Sequence, residues 1–258
     1  MATSYQEAAQ IRSVLRAVQL LKLLGQREEG APLTELARSL GLPKSSVYRL
    51  LATLREESWV TVDEGTGNYK LGLGLLEVSA SALASLRLRD VAKPHLEAIW
   101  RETGETVHLG VLHRNQVMYA MKYESVHSIR MYSKVGKTAP LYCTGVGKAL
   151  LAWMEPKQRE RILESLELRA YTPNTLASRE QLEADLARSL ERGYTIDNAE
   201  HEEFLRCVGG AILGSDGPVG AISVAAPLFR MPDERVEEVG RLVREHCAAL
   251  SREIRGVL

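Results

Sequence analysis

Cysteine is scarce in this 258-residue chain: Cys143, Cys207 and Cys247 are the only three, and none forms a CxxC pair. An odd number at this spacing points neither to a disulfide framework nor to a structural zinc site, and reduced thiols fit the cytoplasm. No segment approaches the roughly 18 uninterrupted apolar residues that a membrane helix needs, so no membrane partner is expected. The opening residues MATSYQEAAQIRS lack the apolar core of a secretion signal, which again leaves the cytoplasm. Net charge is missing too, since 33 Lys and Arg balance 33 Asp and Glu. That balance argues against a nucleic-acid binder, because phosphate contacts usually leave a basic excess on the binding surface. Phosphate contacts are made by surfaces, however, and a large neutral domain can hide a small basic head. There is neither an internal repeat nor a low-complexity tract. What remains is a mixed-charge chain, 45% apolar, with the composition of a folded protein and the length of a small domain plus one of ordinary size.

From Ser13, placed to cap a helix, Val14, Val18, Leu21 and Leu24 recur at helical spacing up to Gly25. In PLTELARSLGL, Thr34 is a second cap candidate, Glu35 suits the first turn, Leu36, Ala37 and Leu40 point inward, and Gly41 supplies a turn. After Pro43, Val47, Leu50, Leu51 and Leu54 form a narrow apolar stripe. Ser45, Tyr48, Arg49 and Ala52 lie opposite it, with Lys44 at the flank. Two helices joined by a glycine turn, the second with a small, basic and aromatic outer face, make a helix-turn-helix. WVTV, DEGTGN and YKLG then read as a β-hairpin, the wing.

The run from Leu75 to Leu88, rich in small residues, suits a linker helix and a dimer contact. Beyond it, a helix is expected over 91–103 and strands over 107–111, up to Tyr123, 129–134, 208–213 and 219–225. Further helices are expected over 147–154, 179–192 (closed by Gly193) and 233–255. Hairpins mixed with helices indicate an α+β domain with a largely antiparallel sheet. The whole is therefore multidomain α+β, with a winged helix-turn-helix over 10–73, a linker helix over 74–88 and a larger domain over 89–258.

A reading helix needs side chains that donate to phosphates and base edges. Arg49 fits a bidentate base contact. Lys44, Ser45 and Ser46 at the helix start fit phosphates, assisted by the free amides there. Tyr48 fits either role, and Lys70 on the wing can reach a neighbouring phosphate. The plain alternative is that these are ordinary solvated residues of a small helical domain.

SVLRAVQLLKLL, LTELARSLGLPKSSVYRLLATL, WVTV and NYKLG resemble the winged helix-turn-helix of the IclR family of bacterial regulators. The resemblance continues through VAKPHLEAIWRETGETVHLGVL, PLYCTGVGKALLAWM and RGYTIDNAEHEEFLRCVGGAI with AISVAAP, and so covers nearly the whole chain from about Gln10. It implies a GAF-like α/β effector domain that binds a small organic acid, and assembly as a homodimer or tetramer on double-stranded DNA with a palindromic operator. Repression is the expected mode, and no cofactor or metal is expected. The positions that match the family pocket are Met131, Gly145, Val146, Asp197, Leu205, Cys207 and Ser223. The segment IRMYSKVGKTAPLYCTGVGKALLAW is most similar to regulators that respond to a 2-keto-3-deoxy sugar acid.

These residues have a chemical reading of their own. TGVG lies where an extended segment meets a helix, so the amides of Gly145 to Gly147 can point at a carboxylate. Asp197 can accept from hydroxyls, Ser223 can donate or accept, and Cys207 is a weakly polar wall. Equally, the glycines can shape a turn, Cys207 can be a small buried hydrophobe and Asp197 can cap a loop. Two departures from the family pattern stand out. Ala225 replaces a polar residue two positions after Ser223, and GGAI replaces an AVPI-type run, with glycines expected to widen the pocket.

Three other classes compete. A thiol hydrolase could be assembled from Cys207 or Cys143, His108, His113 or His201, and Asp197. A metal sensor could use Asp197, Cys207 and a histidine, although His201 reads as solvated. A protein-binding module could use the helix-turn-helix without DNA.

Overall fold

The computed structural model describes residues 11–78, 87–129, 131 and 133–255, and the chain divides into two compact units, Met1–Ser85 and Leu86–Leu258. In the first, helices α1 (Arg12–Gly25), α2 (Leu33–Leu40) and α3 (Lys44–Glu56) precede a hairpin of β1 (Val60–Val62) and β2 (Tyr69–Leu71). Leu20, Leu24, Leu36, Val47, Leu51, Leu54 and Val60 are packed into one core. Each such burial is worth about 1.5–3 kcal/mol, which is what holds so small a domain together.

The expected caps are not where the sequence suggests. Ile11 rather than Ser13 precedes α1, Pro32 rather than Thr34 precedes α2, and neither makes a side-chain cap bond. Proline's fixed φ suits a helix start, and the helix begins two residues earlier than expected with Leu36 and Ala37 still facing the core. Gly41 ends α2 with φ 62°, as a glycine turn should. Val14 and Val18 also depart from expectation, because they are exposed, at 57% and 42%, whereas Leu20 and Leu24 carry the buried face.

Across the wing, Asp63 accepts from the amides of Gly65 and Thr66 and from the Lys70 ammonium at 3.0 Å. That ammonium bond and the backbone donors hold the Asp63 carboxyl down at about 2. Ala31 pairs with Tyr69 as an extra bridge beside the hairpin. Gly30 makes this possible, since a Cβ there would lie 2.3 Å from the Tyr69 carbonyl.

The second unit opens with α4 (Arg87–Thr103). Next come β3 (Thr106–His113), β4 (Gln116–Tyr123), β5 (Thr138–Pro140), α5 (Gly145–Ala152), α6 (Pro156–Ser165) and α7 (Arg179–Arg192). The unit closes with β6 (Thr195–Asn198), β7 (Leu205–Leu213), β8 (Pro218–Pro227) and α8 (Asp233–Arg255). The six strands form one antiparallel sheet in the order β5-β4-β3-β8-β7-β6. Helices α4 and α8 cover one face through Leu96, Ile99, Val243 and Leu250, and α5 and α7 cover the other through Leu150, Leu151, Leu182 and Leu186. With both faces covered, β3 and β8 are buried almost throughout and lose the alternation of a half-exposed strand.

The strand expected over 129–134 is not formed at the described residues there, and the third strand of the hairpin region is instead Thr138–Pro140. Helix α5 starts at Gly145, two residues before the expected Gly147. Residues 74–78 are helical, while most of the expected linker helix, residues 79–86, lies outside the described residues.

Candidate functional sites

In the first unit, α3 presents Lys44, Ser45, Tyr48 and Arg49 to solvent, with Ser46 half-buried and Val47, Leu51 and Leu54 inward. No side chain caps α3, so its first amides remain free to meet an anion. Arg49 and Ser46 share a shallow crevice with Ser13 and Arg16 of α1. Arg16 is a cation that helical periodicity alone did not single out. Lys70 is bound to Asp63 and lies 3.7 Å from Glu29, so it anchors the wing, and a phosphate would have to compete for it with two carboxylates. Residues 11–78 contain nine Lys and Arg against eight Asp and Glu. The head is thus nearly neutral as a whole, and any attraction for phosphate comes from how its cations are placed.

In the second unit, α5 points its N-terminus at the sheet. Thr144 caps it, accepting from the Gly147 amide at 3.1 Å and donating to the Pro140 carbonyl. Gly147 is therefore not available to a ligand, contrary to expectation, and the amides of Gly145 and Val146 are the ones left without intrahelical acceptors. Every residue of α5 is buried, so this N-terminus is held against the sheet from all sides.

Gly209 allows the close approach, because a Cβ there would lie 2.2 Å from the Gly145 carbonyl oxygen. Gly210 does the same on the opposite face, where a Cβ would meet Val243 and Cys247 of α8. The glycines of GGAI thus bring helices closer to the sheet, a correction to the expectation that they widen a pocket.

A nearly closed cavity, with about 10 Å³ of space open to water, lies under this helix end. Its lining includes Met131, Gly145, Val146, Asp197, Leu205, Cys207 and Ser223, brought together from five separate segments. Strand register explains the meeting: His108 pairs with Ser223, Ser223 with Gly209, and Cys207 with Asp197, so one sheet face carries them side by side. Ala225 lies beside Cys207 in register, and with Met131 and Leu205 it forms a small apolar corner.

Other polar groups line the cavity that sequence reasoning did not place there, namely His108, Tyr119, Thr144, His201 and Glu202. His108 stacks on Tyr119 at 4.6 Å and meets the Ser133 hydroxyl at 2.6 Å. Burial, with Lys122 nearby, pushes its imidazole down to about 3, so it is neutral. His201 is half-buried with Nδ1 lacking a hydrogen-bond partner and its ring edge on Tyr171, so it is not the solvated residue expected. The loop that contributes Met131 is pinned by Lys122 bonding the Ser133 carbonyl and by Arg230, which is paired bidentately with Glu105 and bonds the Ile129 carbonyl.

Asp197 is 3% exposed, accepts from the Glu200 amide at 2.8 Å and is raised by burial and by the Glu200 charge to about 7. Beneath it Lys148 is fully buried between Asp185 at 2.8 Å and Glu200 at 2.5 Å. Burial pushes the Cys207 and Cys143 thiols far up, which removes the thiolate that a nucleophile requires. No group of three metal-ligating side chains occurs among the described residues.

The model for the IclR helix-turn-helix domain matches residues 13–64, and that for the bacterial transcriptional regulator IclR C-terminal domain matches 80–252. The chain belongs to the IclR family of bacterial transcriptional regulators. Among IclR-family relatives, it is 36% identical over 240 residues to the HTH-type transcriptional regulator KdgR of Escherichia coli (strain K12), covering 93% of this chain and 90% of that one. The crystal structure of the Thermotoga maritima IclR superposes with a TM-score of 0.80 at 30% identity, covering 95% and 100% of the two chains. An IclR homologue from Microbacterium hydrocarbonoxydans, solved in complex with 4-hydroxybenzoate, shares the fold at a TM-score of 0.82 and 24% identity, covering 95% and 99%. The chain is a DNA-binding transcriptional regulator and not an enzyme. No helix among the described residues is long and apolar enough to cross a membrane.

Proposed function

We propose that this regulator is a cytoplasmic repressor whose affinity for a palindromic operator is set by a small organic acid bound in the cavity at the N-terminus of α5. The observation that carries the reading is the cavity itself, where two helix-end amides, a buried carboxyl, a serine and two histidines converge from distant segments. The amides suit a carboxylate, and the neutral donors and acceptors suit keto or hydroxyl oxygens, so a keto sugar acid is the ligand we favour. In the head, Arg49 reads a base edge while Lys44, Ser45, Ser46 and Tyr48 meet the backbone, with Arg16 as a further phosphate contact.

A homodimer places two copies of α3 on the operator, with half-site spacing following the twofold axis. An outer stripe of Ile11, just before α1, and Val14, Leu15 and Val18 within it is exposed at i, i+3, i+4 and i+7 and suits the face where two heads pair. Residues 74–88 are the segment we assign to transmit the signal. By linkage, an acid that weakens operator binding must itself be bound more weakly by the operator complex, and by the same factor.

The test is a salt-titrated binding assay on the gene's own upstream DNA, with and without a panel of keto and sugar acids. The expected result is specific, salt-sensitive binding that one acid shifts. Binding shifted only by aromatic acids would overturn the sugar-acid assignment, and no specific binding at any salt would overturn the operator reading.

A further inference from the structure

The cavity is lined by two carboxylic acids and two imidazoles, with no permanent cation to meet an anion. Asp197 and Glu202 contribute carboxyls, and no lysine or arginine is part of the lining. We propose that the cavity takes up a proton together with its anionic effector, and that the proton resides on Asp197. This rests on the reading above, in which the effector is an organic acid.

The charges around Asp197 leave little alternative. From the turn that follows it come Glu200, His201 and Glu202, and from β7 comes Cys207. His108 and Tyr119 approach from β3 and β4, and Cys143 from the segment before α5. Lys148 of α5 is the one cation near it among these groups, and both Asp185 of α7 and Glu200 already hold it. His108 is neutral, and burial lowers the His201 imidazole as well. An incoming carboxylate would therefore meet an ionised Asp197 with only the Gly145 and Val146 amides to offset the repulsion. With Asp197 protonated, repulsion is replaced by attraction, because a carboxyl O–H can donate a charge-assisted hydrogen bond to the effector oxygen. The site is poised for this, since burial already holds Asp197 at about 7. An added anion raises it further, and the proton comes from solvent.

Isothermal titration calorimetry on the full chain with 2-keto-3-deoxygluconate, gluconate and pyruvate tests the idea, run at pH 8 in phosphate and in Tris, whose ionisation enthalpies differ. We expect a buffer-dependent enthalpy equivalent to nearly one proton per acid bound. Affinity should fall by close to tenfold per pH unit above pH 7. Asp197→Asn should bind with the same enthalpy in both buffers and with affinity flat from pH 6.5 to 8.5, whereas Glu202→Gln should keep the uptake. Thermal melting of each variant confirms folding, and the wild-type buffer comparison stands even if Asp197→Asn does not fold. Buffer-independent binding by the wild type would overturn the proton linkage and leave the effector reading intact. Uptake lost in Glu202→Gln but kept in Asp197→Asn would overturn the assignment to Asp197. No binding of any acid from pH 5.5 to 8.5 would overturn the effector reading itself.

Discussion

Replacing Asp197 by Asn should stabilise the effector domain, and the gain should grow with pH. Asp197 is 3% exposed, and burial together with the Glu200 charge lifts it from 3.8 to about 7. The folded state therefore holds this proton more tightly than the unfolded chain does. Stability is lost as pH rises between the two values and is level above the upper one. At about 1.4 kcal/mol per unit, the charge costs the folded domain up to about 4 kcal/mol at pH 8 and roughly 1–2 kcal/mol at pH 5. Asparagine retains the shape and an acceptor for the Glu200 amide without the charge. Its advantage over wild type should grow by about 2–3 kcal/mol from pH 5 to pH 8. Because the chain has two units, a single melting curve mixes transitions, so hydrogen exchange of the β7 amides is the better measure. An advantage equal at pH 5 and pH 8, or a loss at both, would refute the argument.

Arg49→Ala should weaken operator binding by about 1–3 kcal/mol and relax preference at one base position, with no fall in melting temperature because the side chain is exposed; gel shifts and melts check both. Lys148→Met should destabilise the effector domain by about 3–5 kcal/mol by leaving Glu200 buried without its cation, Asp185 keeping Arg188 and Arg192, and adding Glu200→Gln should recover part of the loss in chemical denaturation. Gly209→Ala should force α5 off the sheet, since the new methyl would meet the Gly145 carbonyl oxygen, and so should lower both thermal stability and effector affinity as read by calorimetry.

Regular periodicity made much of this fold legible. In α8, Val236, Val239, Val243, Cys247, Leu250 and Ile254 recur at helical spacing, and all are buried. In α3, the stripe of Val47, Leu51 and Leu54 fixed which face Tyr48 and Arg49 must occupy. Periodicity cannot say what an apolar face packs against, so Val14 and Val18 read like core and are exposed. Short elements such as β5 and β6 carry too few residues for a pattern, and the order of strands in the sheet has no local trace. For that reason the sequence does not place His108 in the pocket: nothing near VHLGV shows that it pairs with Ser223. His201 was misread because its surroundings, AEHEEF, are polar in sequence while its neighbours in space are Tyr171 and the cavity wall. The pocket positions that match the family pattern fall on a single cavity, yet the features that set its charge, Thr144 as cap and Glu200 beside Asp197, emerge only from three-dimensional contact.

Lys148 has no contact with water and both its partners are inside the domain. Amine-acylating reagents and trypsin can reach it only when α5 lifts from the sheet, so the rate at which it becomes labelled is a clock for opening of the effector domain. A bound acid that rests on the first turn of the same helix should slow that clock, which makes one lysine a reporter of occupancy that needs neither DNA nor a labelled ligand.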